Sequence, residues 1–379
     1  MKCITDIPVE ELKGKRVLVR AGLDLSLEAD GSVSDVFRVE QALPTLRYLQ
    51  EAGARTIIIS HIGRDPQQTN APVAKALSAF IKVAYVADIF GRVAIDMVAA
   101  MQPGDVVLLE NLRQHYDLEK AQDMDFAKSI AALGEIYVND AFSNSHREHA
   151  SMVTLPKLLP HYAGLLVRDE VNNLNEALKP PHPAFVMIGG SKFETKGPVV
   201  KSFLQTYDHV FVVGAIANDI LKARGFAIGR SKVSDSVPDV AISTHANLVP
   251  LPDVTVEGLD GHASVKKVEA VGADDMIVDI GPDAVAAVAP FIEQANFILW
   301  NGPTGIYEKG YTTYTKQIAL MIAHRVAEGA TCVIGGGDTI AAIDAAGVDK
   351  TKLGFLSTGG GAMLEYILQG TLPAISVLG

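Results

Sequence analysis

The sequence predicts an α/β protein of two domains, each a mainly parallel sheet flanked by helices. Short continuous apolar runs alternate with amphipathic stretches, the pattern of buried parallel strands and βαβ units. Glycine-rich turns recur between residues 300 and 362, two of them closing an apolar run and opening a small-residue helical pattern. The chain has 379 residues, 48% hydrophobic and 20% charged, which is too long for one ordinary domain.

The N-terminal half can be read in order. RVLVRAGL (16–23) reads as a strand, VEQALPTLRYLQEAG (39–53) as a helix ended by Gly53, and ARTIIISHIG (54–63) as a buried strand with polar residues at its carboxyl end. VAYVADI (83–89), GDVVLLEN (104–111) and GEIYVNDA (134–141) repeat the pattern. In such sheets ligands gather outside the carboxyl ends of the strands. His61, Arg64, Asn111, Arg113, Asn139 and Asp140 all fall near that edge. Several edges carrying Arg or His suggest an anion site.

LLVRDEVNNLNEALKPPHP (165–183) reads as an amphipathic helix stopped by prolines, and it connects two series of strands. The second series comprises AFVMIGGSK (184–192), HVFVVGAIAN (209–218), DDMIVDIGP (274–282), NFILWNGP (296–303), TCVIGGGD (331–338) and LGFLSTGG (353–360). We expect domains at 1–164 and 183–362 joined by the helix at 165–182, with 363–379 as a tail. One domain suits an anionic substrate and the other a nucleotide.

Composition excludes several classes. With 33 Lys+Arg against 44 Asp+Glu the net charge is −11, which argues against a nonspecific nucleic-acid or anionic-membrane binder. Cys3 and Cys332 are far apart in sequence and read as reduced thiols of a cytosolic protein. The N-terminus has no continuous apolar core of a signal peptide, and no stretch approaches a membrane span.

The motifs point to phosphate chemistry. GGSKFETKGP (189–198) sets Lys192 and Lys196 four apart at the start of a helix, on one face. The helix dipole disfavours cations there, so the bland reading as a solvated pair is uncomfortable. Two ammonium groups can neutralise a transferring phosphoryl group. GGGDT (335–339) offers Asp338 to Mg²⁺ and Thr339 to a phosphate; an ordinary N-cap is the competing reading. STGGGA (357–362) reads either as tight packing or as an anion turn. His146 and His149 are three apart with no cysteine near and Glu148 the only acid between them, so a metal there is a weak reading. Trp300, the only tryptophan, reads as core or cleft wall. Neither GxxxxGK[ST] nor GxGxxG occurs.

With these motifs assembled, essentially the whole chain resembles the phosphoglycerate kinase family. The resemblance is carried by RVEQALPT, SHIGR, LLENLR, YVNDAF with SHREHAS, GGSKFETK, DIGP, WNGPTGIYE, GGGDT and STGGGA, in that order. It implies an N-terminal domain for 3-phosphoglycerate or 1,3-bisphosphoglycerate, a C-terminal domain for Mg-ATP or Mg-ADP, hinge closure, and a C-terminus folding back toward the N-terminal domain. It implies a cytoplasmic monomer catalysing reversible phosphoryl transfer between ATP and the substrate carboxylate. By motif, Arg38 contacts that carboxylate, and Asp24, His61, Arg64, Arg113 and Arg147 belong to the acid pocket. Lys192 assists transfer and Lys196 holds nucleotide phosphates. Gly214, Asn301 and Glu308 contact the nucleotide, Asp338 binds Mg²⁺, and Gly337, Thr339 and Gly360 cradle the moving phosphate.

The chain departs from the family pattern in three places. Matched without gaps, the usual D-F/L-N-V-P after the first strand reads Gly22, Leu23, Asp24, Leu25, Ser26, at positions that normally hold the substrate's 2-hydroxyl and neighbouring oxygens; sliding LDLSL onto the pattern would put Asp24 at the usual Asp position but needs gaps. The usual GGG-M-A reads Val213, Gly214, Ala215, Ile216, Ala217, which is expected to narrow the adenine pocket. The usual G-T/A-A-H-R-A-H reads SNSHREH, placing Glu148 near the basic residues. These departures leave two alternatives open: a paralogue acting on a related phosphorylated carboxylic acid, and a noncatalytic nucleotide-binding regulator.

Overall fold

The structure is a computed structural model that describes residues 1–28, 31–33, 36–236 and 238–379. The chain forms two compact units. Unit 1 comprises Met1–Asn172 together with Thr371–Gly379, and unit 2 is Asn173–Gly370.

Unit 1 is built on six parallel strands: β1 (Arg16–Ala21), β2 (Arg55–Ile59), β3 (Ala84–Val86), β4 (Val106–Leu109), β5 (Ile136–Asp140) and β6 (His161–Ala163). Their order across the sheet is β3-β4-β2-β1-β5-β6, so β1 is central, between β2 and β5. The apolar runs are continuous because both faces are covered. Val17, Val19, Ile58 and Val138 pack on one face with Leu46 and Leu49 of the helix Phe37–Glu51. Leu18, Ile57, Ile59 and Tyr137 pack on the other with Phe126 and Ile130 of the helix Met124–Ala131. Neighbouring residues thus serve opposite faces, as the strand period of two requires. The helix Phe37–Glu51 is followed by Gly53, whose φ of +70° turns the chain back to β2.

Unit 2 holds a second parallel sheet of β7 (Ala184–Gly189), β8 (His209–Val213), β12 (Phe297–Asn301), β13 (Thr331–Gly335) and β14 (Phe355–Ser357), in the order β14-β13-β12-β7-β8. Between β8 and β12 lie β9 (Asp253–Glu257), β10 (Ala263–Lys267) and β11 (Met276–Ile280), which form a separate antiparallel sheet ordered β10-β9-β11. Segment 274–282 therefore does not join the parallel series in which the sequence placed it. Its apolar run is short, and only pairing partners distinguish a parallel strand from an antiparallel one.

The connecting helix spans Leu165–Leu178, and the division between units falls within it, after Asn172. Asp140 caps its start: Oδ1 accepts from Leu166 N at 3.0 Å, while Thr45 Oγ1 accepts from Leu165 N at 2.9 Å. The expected tail 363–379 divides. Residues 363–370 lie in unit 2, in the helix Gly361–Gln369, and only Thr371–Gly379 lies in unit 1. There Ala374 N donates to Ser145 O and its methyl packs on Ala141, Met152 and Val153. Among the described residues no helix is long and apolar enough to cross a membrane.

Candidate functional site

In unit 1 the site forms where β1, β2, β4 and β5 end. Its anchor is Arg20, on the apolar strand β1 and only 1% exposed, a residue the sequence reading passed over. Its Nη1 donates to Ala21 O (2.6 Å), its Nε to Ser151 Oγ (3.2 Å), and its Nη2 lies 2.8 Å from His61 Nδ1. Burial pulls the guanidinium below its ordinary pKa, and the charge of buried Glu119 opposes that. Glu119 also accepts from Ser151 N at 2.8 Å. One signal for Arg20 was available: an arginine inside a run of buried apolar residues needs partners.

Guanidinium nitrogens only donate, so His61 Nδ1 accepts and its proton sits on Nε2. That nitrogen faces Asp24 Oδ2 at 3.4 Å. Burial lowers His61 to about 4; Asp24 pulls the other way, and Arg20 and Arg113 add to the lowering. His61 is therefore a neutral donor at neutral pH. Asp24 Oδ1 also accepts from Gly63 N at 2.9 Å. Burial would raise the Asp24 carboxyl, but the bonds from His61 and Gly63 and the charge of Arg38 hold it below its ordinary value.

The other cations share one field. Arg38, in the first turn of its helix, donates through Nη1 to Ser143 Oγ at 2.9 Å. Arg113 lies 5.7 Å over the Tyr116 ring. Burial lowers Arg113, Asp24 raises it, and Arg147 and Arg64 lower it further. His149 is lowered to about 4 by burial and by Arg20, Arg147, His61 and Arg113. Arg64 is exposed, and Arg38, Arg113 and Arg147 are half-buried. Glu148 is exposed and accepts from Gln122 Nε2 at 3.1 Å.

Asn111, Asn139 and Asp140, read from the sequence as edge residues of an anion site, are fully buried and tie loops together. Asn111 accepts from Ile62 N and Arg113 N, and Asn139 Oδ1 accepts from Ala141 N. Burial raises Asp140 to about 7, with Thr45 and the helix N–H groups opposing. Polar residues at a strand end look alike in sequence whether they face a ligand or hold a turn.

In unit 2 a cavity of about 590 Å³ opens where β7, β12 and β13 end. Glycine turns line it together with the side chains of Lys192, Lys196, Val199, Leu364 and Leu368. Gly302 has φ +110°, and a Cβ there would lie 2.6 Å from Gly189 Cα, so the ends of β7 and β12 meet only as glycines. Lys192 is the exposed N-cap of the helix Phe193–Thr206; Lys196 lies in its first turn. Lys196 Nζ donates to Asn301 Oδ1 at 2.6 Å, and Asn301 Nδ2 to Gly335 O at 2.9 Å. Burial lowers Lys196 to about 8, opposed by the Asp338 carboxylate. Asp338 and Gly337 are exposed at the start of the helix Gly337–Ala345, and Gly360, at φ +52°, precedes the helix Gly361–Gln369. Both helix starts turn N–H groups toward the cavity, where an anion is favoured.

Two expected contacts change. Thr339 Oγ1 accepts from Gly302 N (2.7 Å) and donates to Gly335 O (2.8 Å), so its proton is not offered to a phosphate. Asn301, 4% exposed, spends both amide ends within the protein and holds Lys196. Trp300 is core, its Nε1 donating to Gly302 O at 2.7 Å.

A second cavity of about 390 Å³ shares Gly190, Ser191, Pro303 and Asp338 with the first. Gly214, Ala215, Ala217, Leu251, Val254 and Ile280 line it, with Glu308 at its border. Val213 and Ile216 are fully buried and do not line it, so of the residues expected to narrow this pocket only two alanines reach it. Asp279 also lines it, raised to about 7 by burial against bonds from Thr304 and Ile280. Among the described residues no three His, Cys, Asp or Glu side chains converge as a metal cage. A divalent ion fits only the mode in which Asp338 supplies one oxygen and phosphates supply others.

Cations gathered at strand ends in one unit, and glycine turns with two lysines around a cavity in the other, define a phosphotransferase with an anionic acceptor. The chain belongs to the phosphoglycerate kinase family: the model of that family matches residues 4–370. It is 38% identical over 398 residues to a phosphoglycerate kinase of Dictyoglomus turgidum, covering 100% of this chain and 98% of the relative. It is equally 38% identical to that of Chlorobium chlorochromatii, covering 100% and 99%. The solved structure of phosphoglycerate kinase from Coxiella burnetii matches with a TM-score of 0.82 at 32% identity, covering 99% of this chain and 98% of that one. That from Pyrococcus horikoshii OT3 matches at 0.85 and 27%, covering 100% and 98%.

Proposed function

We propose that the chain reversibly transfers the γ-phosphoryl group of ATP to the carboxylate of 3-phosphoglycerate. One carboxylate oxygen forms the new O–P bond as the bond to ADP breaks, and the reverse step regenerates ATP. The observation that carries this reading is the division of labour: a cationic strand-end cluster in unit 1 and a glycine-turn cavity with Lys192 and Lys196 in unit 2.

In this reading Arg38, Arg64, Arg113 and Arg147 receive the acid and its phosphate, and neutral His61 donates from Nε2. The 390 Å³ cavity takes the base, with Glu308 at the ribose, and the 590 Å³ cavity takes the phosphates. Lys192 is the exposed cation for the moving group, and Lys196 holds nucleotide phosphates from the position Asn301 gives it. The turns at Gly337 and Gly360 contribute backbone N–H groups. No general base is needed, because a carboxylate nucleophile is already ionised; positioning and charge neutralisation do the work. Mg²⁺ at Asp338 would neutralise phosphate charge when bound. We place the protein in the cytoplasm on its two buried free thiols, and read it as a monomer on its family resemblance alone.

The test is turnover with Mg-ATP and 3-phosphoglycerate, coupled to reduction of the acyl phosphate by a dehydrogenase. Lys192-dependent turnover supports the reading. Nucleotide binding with no turnover moves the acid assignment to another phosphorylated carboxylate.

A further inference from the structure

Two departures from the family pattern meet in space. Gly22 follows β1 directly, and Ser143 lies in the short turn Phe142–Asn144 after β5. The two strands are neighbours, with Ala21 opposite Asp140, so their loops leave the sheet side by side. A Cβ on Gly22 would lie 3.2 Å from Ser143 Oγ and 3.5 Å from Ala141 Cα. The first separation is closer than ordinary van der Waals contact, so a side chain at 22 presses the hydroxyl to give by a few tenths of an ångström. That same Oγ accepts from Arg38 Nη1 at 2.9 Å. A side chain is missing on one loop, and its place is taken from the other.

We propose that Ser143 is the positioning residue of Arg38 in this chain, its hydroxyl placed where the absence of a side chain at Gly22 leaves it room. The proposal rests on the reading of Arg38 as the cation that meets the reacting carboxylate. Arg38 sits in the first turn of a helix, where the dipole disfavours a cation, so its guanidinium depends on an outside acceptor for its position. A hydroxyl accepts through a lone pair and adds no charge, which leaves the cation to the substrate. The carboxylate count at the exit of β1 is unchanged: the pattern has an acid at 22 and an amide at 24, and this chain has Gly22 and Asp24. Asp24 lies within the field of Arg38 and is tied to His61 and Gly63. Gly22, Asp24 and Ser143 are one coordinated change, compatible with the same acid substrate.

The test is a double-mutant cycle of Gly22→Asp and Ser143→Gly in the full chain, read as kcat/KM for 3-phosphoglycerate at saturating Mg-ATP. Ser143→Gly alone should lose on the order of tenfold, the scale of one hydrogen bond to a charged group. The loss should fall on the acid's KM and on kcat and leave the KM for ATP in place, a split that general destabilisation does not produce. Gly22→Asp alone should lose more, because the new side chain meets Ser143 and adds a second carboxylate. The double variant should exceed both singles. Losses that simply multiply overturn the proposal. A second cycle, Ser143→Ala with Arg38→Met, is read as the urea unfolding midpoint without substrate. If Ser143 acts through Arg38, the two changes are coupled there; additivity in that cycle also overturns the pair. An unmodified chain inactive on 3-phosphoglycerate, with coupling intact in the unfolding cycle, would remove the acid assignment and leave the pair standing.

Discussion

The two candidate sites are made of different material. In unit 1 recognition rests on side chains whose charges are held in place by other side chains: Glu119 and Ser151 hold Arg20, Arg20 orients His61, and His61 faces Asp24. In unit 2 the cavity is shaped in part by backbone, with side chains absent where Gly189 and Gly302 meet. A site of side chains can change one residue at a time and be repaired by a neighbour. At Gly302 a methyl group would meet the Gly189 backbone, so this turn cannot accept one without moving a strand end. Of the departures, Gly22, Asp24, Ser143 and Glu148 lie in unit 1 and residues 213–217 beside the smaller cavity of unit 2, while the glycine turns facing the larger cavity keep the family pattern.

The contrast can be broken at several points. Lys192→Ala should lower turnover by ~10³-fold with less than about a tenfold change in nucleotide affinity, since the backbone site binds without it; unchanged turnover in the coupled assay would remove Lys192 from the mechanism. Gly302→Ala should cost about 4 kcal/mol in chemical denaturation, from the positive φ together with the clash on Gly189. A cost below about 1 kcal/mol would show that the strand ends give more readily than the packing implies.

The side-chain site should instead respond to pH. His61 has a folded pKa of about 4, below its ordinary 6.5, so the unfolded chain takes up the proton first. The stability this represents is fully present above the ordinary value and is lost as pH falls through about 4, at most roughly 3 kcal/mol. The difference in unfolding free energy between the unmodified chain and His61→Gln should therefore shrink from pH 7 to pH 4. A difference independent of pH would contradict the buried neutral imidazole. The smallest effect is expected from Asp338→Asn. Losing the carboxylate should push the Lys196 pKa below about 8, visible by NMR, and weaken Mg-ADP by about tenfold.

Much of this was legible in the sequence, for reasons the structure makes plain. The parallel strands were readable because burial on both faces leaves an unbroken apolar run, and the phosphate turns because positive φ and close approach demand glycine. Arg20 was only half legible: its charge inside an apolar run is visible, but nothing in the run shows that His61 and Ser151, 41 and 131 positions away, hold it. Asn301 and Thr339 were placed at the right turns, but their bonds within the protein were not legible, since a side-chain amide or hydroxyl serves a neighbouring carbonyl as readily as a ligand. The antiparallel sheet of β9, β10 and β11 escaped because pairing direction is decided by the partner strand.

The docking of Thr371–Gly379 on unit 1 has a consequence for how the protein is made. These residues leave the ribosome after all of unit 2 has been synthesised, so the inner unit has its complete chain before the outer one does. Unit 1 must wait, with Ala141, Met152 and Val153 lacking the Ala374 methyl that covers them, until translation has passed the residues that finish it.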